Sequence, residues 1–170
     1  GFFGSGNPWD IELATLVSSK SITSTAGSSA QGLFFSSTGS EVYVTSATFA
    51  PDQVFQLDLT TAWDITTATD NGKSVNTASY SSYNANCLFN SDGTKMYTVG
   101  PVETAIDEYA LSTAWDITSA SYSATKALTS GASTLWNGFW SQDGLKFYAI
   151  YSDKILSWTA STAFSVASLS

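Results

Sequence analysis

Histidine and arginine are absent from this 170-residue chain, cysteine and methionine occur once each, and charged residues make up only 12%. Each scarcity removes a class of function. Without imidazole there is no His base for a serine nucleophile and no His-ligated zinc. Cys87 alone supplies neither a disulfide framework nor a cysteine metal cluster. Six lysines against fourteen carboxylates leave a net charge of -8, and the missing Arg forks remove the usual means of gripping phosphates and base edges, so nucleic acid is excluded as a partner. No apolar run approaches the roughly 20 residues of a spanning helix, which argues against membrane insertion. The opening GFFGSGNPWD lacks the basic and apolar regions of a signal peptide. Neither a G-x-S-x-G elbow nor a phosphate-cradling glycine loop is present. The expectation is a chain that is not an enzyme and uses no cofactor and no metal.

What the chain has in quantity is Ser and Thr, 51 of 170 residues, together with 43% hydrophobic and 14% aromatic residues. That is enough apolar material for one well-buried domain, with a hydroxyl-rich surface that suits strands and turns. The material is repetitive. TTAWDITTATDN at 60–71 returns as STAWDITSASYS at 112–123. Trp9, Trp63 and Trp115 are 54 and 52 apart, and a further step of 49 reaches Phe164. Lys20, Lys73 and Lys126 are 53 and 53 apart, and Gly39, Gly93 and Gly144 are 54 and 51 apart, each followed four residues on by Tyr43, Tyr97 or Tyr148. Independent marks at one period mean one unit repeated about three times.

Within a unit, Cys87-Leu88-Phe89 stops at the turn signal Ser91-Asp92-Gly93 and resumes as Lys95-Met96-Tyr97-Thr98-Val99, which predicts a hairpin. A third strand follows at 106–111, and a fourth lies beyond the AWDI joint. Four short strands every 50 or so residues predict an all-β fold of propeller blades, about three four-stranded antiparallel blades belonging to a larger or oligomeric ring. The expected division of the single 1–170 segment is an outer strand of a preceding blade at 1–23, blade 1 at 24–76, blade 2 at 77–129 and an incomplete blade 3 at 130–170. Aligned runs 33–35, 87–89 and 138–140 are the innermost strands and are expected to be buried on both faces.

The series GLFFSSTGSEVYV, CLFNSDGTKMYTVG and YALSTAWDITSASYS resembles the repeats of β-propeller proteins of marine bacteriophage fibres and related environmental bacterial and viral proteins. The resemblance covers nearly the whole chain. It implies an extracellular or virion-surface location and a binding or assembly module of a tail fibre or other appendage that attaches to host-surface glycans. The alternative is a purely structural virion module without a ligand of its own. Blade 3 departs from the pattern by loading Trp136 and Trp140 near its inner strand and by placing Phe164 where the other units have Trp.

Asp64 and Asp116, each between Trp and Ile-Thr, are expected to accept backbone N–H bonds in a turn while the indole covers a seam between blades. The Asp107-Glu108 pair is expected on a solvated outer face, and Asp70-Asn71-Gly72 in a turn. Propeller ligands sit where loops converge at the ends of the inner strands, and sugars favour aromatic faces flanked by amides. This singles out Gln31, Tyr83, Asn86, Trp136 and Asn137 as candidate ligand-binding residues, with Trp136 exposed and Trp140 in the core. An open arc of three blades would leave two apolar faces in water, so the expected partners are other copies of the chain or the rest of a longer propeller, two copies giving six blades. Residues 16–23 are expected to form a strand that pairs with the third strand of a three-stranded blade in another copy or in a longer parent.

Overall fold

Hairpin turns closed by glycine set the architecture. Gly39, Gly93 and Gly144 have φ of 74°, 72° and 69°, and each donates its N–H back to the carbonyl three residues earlier: Ser36, Asn90 or Ser141. Strands run into and out of these turns and assemble as antiparallel meanders. The computed structural model describes residues 16–46, 52–79, 83–102, 104–128 and 134–170. Blade 1 has the order β1 (Ala30–Phe35), β2 (Glu41–Ser46), β3 (Gln53–Leu59) and β4 (Ala68–Asn76), and blade 2 has β5 (Asn86–Phe89), β6 (Lys95–Gly100), β7 (Ala105–Leu111) and β8 (Ala120–Ala127). Blade 3 has three strands, β9 (Leu135–Trp140), β10 (Lys146–Tyr151) and β11 (Ile155–Thr159). A bridge between Ala160 and Leu169 repeats the pairs Leu59↔Ala68 and Leu111↔Ala120, so a fourth ladder begins there in the same register.

The twice-written AWDI segment is a clasp. Trp63, Trp115 and Phe164 take φ of 65°, 65° and 56°, a left-handed conformation that costs a bulky residue about 1–3 kcal/mol. Two features hold each in place. Its N–H donates to the carbonyl of Gly39, Gly93 or Gly144 (2.9, 2.9 and 2.8 Å), and its ring lies where a Cβ on that glycine would sit, 2.3 Å away in all three cases. The next residue caps a short 3-10 turn: Asp64 Oδ1 accepts from the Thr66 N–H, and Asp116 Oδ1 from that of Thr118, both at 3.0 Å. These three turns, Ile65–Thr67, Ile117–Ser119 and Val166–Ser168, are called the joints of blades 1 to 3.

Core side chains fall into layers between the sheets. Tyr43 and Val54 of blade 1 pack with Cys87, Phe89, Met96, Tyr109, Leu111 and Ile117 of blade 2. Leu88, Tyr97, Val99 and Ile106 pack with Trp140, Phe147, Ala149, Tyr151 and Val166 of blade 3. Full burial of Cys87 pushes its thiol up to about 12, which keeps it a neutral core side chain.

Four expectations change. Burial on both faces holds for β5, but β1 exposes Leu33 and β9 exposes Phe139, because only blade 2 has a neighbour on each side. Asp107 and Glu108 are buried, not solvated, since β7 lies inside the sheet with its faces covered by blades 1 and 3. Asp70-Asn71-Gly72 is a bulge within β4 rather than a turn: the β3–β4 register slips between Gln56 and Leu57, and Asp70 Oδ1 accepts the Gly72 N–H at 2.8 Å. Residues 16–22 have no ladder partner among the described residues, and Thr23–Ala26 (α1) is a single helical turn that sets Ala26 against blade 1. A strand needs an adjacent edge, and among the described residues the third strand without its neighbour is β11, in blade 3.

Candidate functional site

The chain enters its three inner strands through residues 30–32, 84–86 and 135–137, and the backbone is irregular in two of these places. The β1–β2 register shifts between Ala30 and Leu33, and the β9–β10 register shifts between Ile150 and Tyr151. Gln31 and Trp136 therefore fall out of the ladder, each at a bulge that re-aims its side chain. Gln31 is exposed, and Trp136 is 49% exposed, whereas Trp140, four residues on, is 5% exposed in the core against Phe147.

Asn86 ties the three entrances together. It sits in a notch that only glycine provides, because a Cβ on Gly32 would lie 2.5 Å from Asn86 Oδ1 and 2.8 Å from Thr45 Oγ1. On its other side Asn86 Nδ2 donates to Asn137 Oδ1 at 2.6 Å, and the Gly138 N–H donates to the same oxygen at 2.7 Å. Asn86 is buried and engaged, so it positions its neighbour. Asn137 is exposed, and its Nδ2 has no partner among the described residues. Of the five residues singled out in the sequence, the structure brings Asn86 and Asn137 together and sets Trp136 next to Asn137. Tyr83 is half-buried, and its carbonyl approaches so closely that a Cβ on Gly100 would be 1.7 Å away, a backbone packing role. The nearby Asn84 is buried and donates to Thr77 Oγ1, tying down the chain before β5.

Beside this rim lies a groove of about 440 Å³. Asn86 and Asn137 form its polar end, and Phe139, Tyr148, Ile150 and Ile155 its apolar wall. The wall was missed by motif reading, although Tyr148 is aligned with Tyr43 and Tyr97 in the repeat, which was the available signal. Among the described residues no three His, Cys, Asp or Glu side chains cluster closely enough to hold a metal. None of Gln31, Asn86, Trp136 and Asn137 is charged, so the rim is suited to neutral polyols and unsuited to fixing a phosphate.

No protein-family model matches the sequence and no curated protein matches it. Solved structures do match in fold. A provisionally named 6-phosphogluconolactonase from Bacteroides fragilis superposes with a TM-score of 0.61 at 16% identity over 83% of this chain and 40% of that one. Its counterpart from Bacteroides uniformis gives 0.60 at 14% identity, over 83% and 39% of the two chains. Sqt1 of Chaetomium thermophilum, solved with the N-terminus of ribosomal protein L10, gives 0.51 at 11% identity over 75% and 32%. This chain is a β-propeller segment. It spans about 40% of the length of the first two structures, and at these identities the likeness shows the fold alone. The names nevertheless correct one expectation from the sequence. Two structures sharing this fold are named for an enzyme, so missing triad and zinc motifs do not make the chain a non-enzyme.

Proposed function

We propose that the chain is a binding module of a surface appendage such as a phage fibre, and that it engages host-surface carbohydrate at the inner-strand entrances of blades 2 and 3. The observation that carries this reading is Trp136, an indole held out of the ladder by a bulge, half exposed, next to the Asn137 amide, whose Nδ2 has no partner among the described residues. An aromatic platform flanked by amide donors binds the apolar face of a sugar ring while pairing its hydroxyls. Asn86 fixes the orientation of Asn137 through its Nδ2, and the exposed Gln31 at the entrance to the blade 1 inner strand is a further candidate contact. The resemblance of the repeats to fibre propellers supports the extracellular or virion-surface setting, and the uncharged rim supports a neutral glycan.

A glycan array probed with the intact chain and with Trp136→Ala tests this. The expected result is carbohydrate-dependent binding that falls at least about tenfold in the variant, with the far-ultraviolet circular dichroism unchanged. A silent array, together with no adsorption to host cells, would sink the reading. Sugar lactones are tested in the same series, since hydrolysis lost with Trp136→Ala would make this rim a reaction site.

A further inference from the structure

Two seams inside the chain follow one pattern, and blade 3 repeats that pattern on a face that nothing covers. Across the blade 2–blade 3 seam, Lys95 Nζ and Tyr97 Oη both donate to the carbonyl of the joint aromatic Phe164, at 2.9 and 2.7 Å. Across the blade 1–blade 2 seam, Tyr43 Oη donates to the carbonyl of the joint aromatic Trp115 at 2.6 Å. The apolar contacts repeat as well. Phe34, Tyr43, Thr45 and Val54 face blade 2, and their register equivalents Leu88, Tyr97, Val99 and Ile106 face blade 3.

The third set is Phe139, Tyr148, Ile150 and Ile155, with Lys146 at the position of Lys95. All five are exposed. At the other end of the arc, the joint of blade 1 is built like the two that are engaged, with Trp63 clasped over Gly39. Yet Trp63 is 61% exposed, Ile65 is only half-buried where Ile117 and Val166 are fully buried, and Leu33 is exposed beside them. Among the described residues neither Tyr148 Oη nor the Trp63 carbonyl has a hydrogen-bond partner. One end of the chain thus carries the donors of a seam, and the other end carries its acceptor.

We propose that these two faces dock on each other in a second copy of this chain: blade 3 of one copy seats on blade 1 of the other, with Tyr148 Oη and Lys146 Nζ donating to the carbonyl of the partner's Trp63. The proposal continues an interface that the chain already forms twice. It rests on other residues than the carbohydrate reading, but Asn137 lines the same groove, so docking would cover that amide as the blade 2–blade 3 seam covers Asn86. A head-to-tail contact either closes or polymerises. Propellers close with roughly four to eight blades, so three blades per copy close as two copies and six blades. Lys20 and Ile22 line one pocket with Trp63 and Ile65, the place that β4 and β8 take against the second and third joints. Residues 16–22 are therefore positioned to serve as a fourth strand for the docked blade 3.

Sedimentation equilibrium of the 170-residue chain reads the outcome directly. The expected mass is twice the 18.0 kDa of one chain. Ile150→Asp on blade 3 and Trp63→Ala on blade 1 should each reduce it to a single chain, and Tyr148→Phe should weaken self-association about fivefold, the loss of one hydrogen bond. Because the two faces differ, a mixture of Ile150→Asp and Trp63→Ala should pair one to one through the single intact seam. A chain that stays single at every concentration, a dimer indifferent to Trp63→Ala, or a mixture that fails to pair would overturn the proposal. Tyr148→Phe keeps the test open if Ile150→Asp fails to fold.

Discussion

Blades 2 and 3 place matching side chains at matching register positions and give them opposite surroundings. Leu88 is 7% exposed, and its equivalent Phe139 is 65% exposed; Ile106 is fully buried, and its equivalent Ile155 is 69% exposed. The hairpin turns that carry them and their strand pairings correspond. What differs is that blade 2 has a sheet on each side. Burial in this fold belongs to the seam between two blades and not to the strand that contributes the residue, because a sheet face leaves water only when a second layer covers it.

The largest effect expected from that contrast is in paired truncations. Ile106→Ala should cost about 2–5 kcal/mol in urea denaturation, as a cavity in a sealed layer. Ile155→Ala, measured at dilutions where the chain is single, should cost less than about 0.5 kcal/mol. Equal costs would mean that the open face of blade 3 is covered within one chain.

Next come the clasps. Gly93→Ala forces a left-handed alanine and drives its Cβ into Trp115, which is wedged against Tyr43 and Phe89, so about 3 kcal/mol of destabilisation is expected. Gly39→Ala meets the same geometry under a Trp63 that stacks on Phe35 but is 61% exposed, so its ring yields more easily, and should cost about 1–2 kcal/mol. Thermal unfolding of the two variants ranks them.

The polar half of a seam should respond more weakly. Glu108 Oε2 accepts the Val166 N–H at 2.8 Å, while Oε1 pairs with Lys95 at 2.9 Å. Gln56 does the first task in blade 1, where its Oε1 accepts the Ile117 N–H at 3.1 Å. Glu108→Ala should therefore cost about 2 kcal/mol by stranding a buried donor, and Glu108→Gln under about 1 kcal/mol. Blade 3 has Ser157 at this position, too short to bridge a seam, and Ser157→Gln should tighten the self-association proposed above.

Smallest of all is the acid response of the hairpin turns. The Asp92 carboxyl is held below its ordinary value of 3.8 by the Thr94 hydroxyl and N–H, and Asp143 likewise by the Ser141 hydroxyl and the Leu145 N–H. Burial raises Asp58, but hydrogen bonds from Asn71, Gln56 and Lys73 outweigh it and leave that carboxyl lowered too. A lowered folded value means stability that is present above the unfolded value near 3.8 and lost as pH falls through the folded one. Stability should thus be level from neutral pH down to about 5 and decline below 4. Asp92→Asn should flatten that decline in blade 2, as read by urea midpoints across pH.

Much of this was legible in the chain itself. Ser91-Asp92-Gly93 announced a hairpin because a left-handed glycine and an aspartate that bonds its own turn are local requirements. The clasp was not legible in the same way, since Trp63, Trp115 and Phe164 follow their glycines at unequal distances along the chain. The buried Trp140 followed from its alignment with Phe35 and Phe89 in the repeat, whereas strand phase alone would put Trp136 on the same face, and it is the bulge in β9 that turns it out. Asp107 and Glu108 misled because adjacent carboxylates point to water unless the fold supplies partners; Glu108 finds Lys95 on the neighbouring strand of its own blade and the Val166 N–H across the seam, and sequence spacing does not reveal what lies 58 residues away. Asn86 misled in the opposite direction: it looked like a ligand residue and is largely spent on Gly32 and Asn137.

The sequence by itself determined a repeated β unit, its hairpin turns and the order of its strands, because each of these rests on local geometry with a period of two or on a turn a few residues long. Only the tertiary structure decided which sheet faces are sealed and which stand open. That Asn86 fills the notch at Gly32, that Glu108 is buried, and that Trp63 and Tyr148 sit at opposite ends of one arc all depend on stacking one sheet against another, and the free energy of that stacking resides in side chains some fifty residues apart.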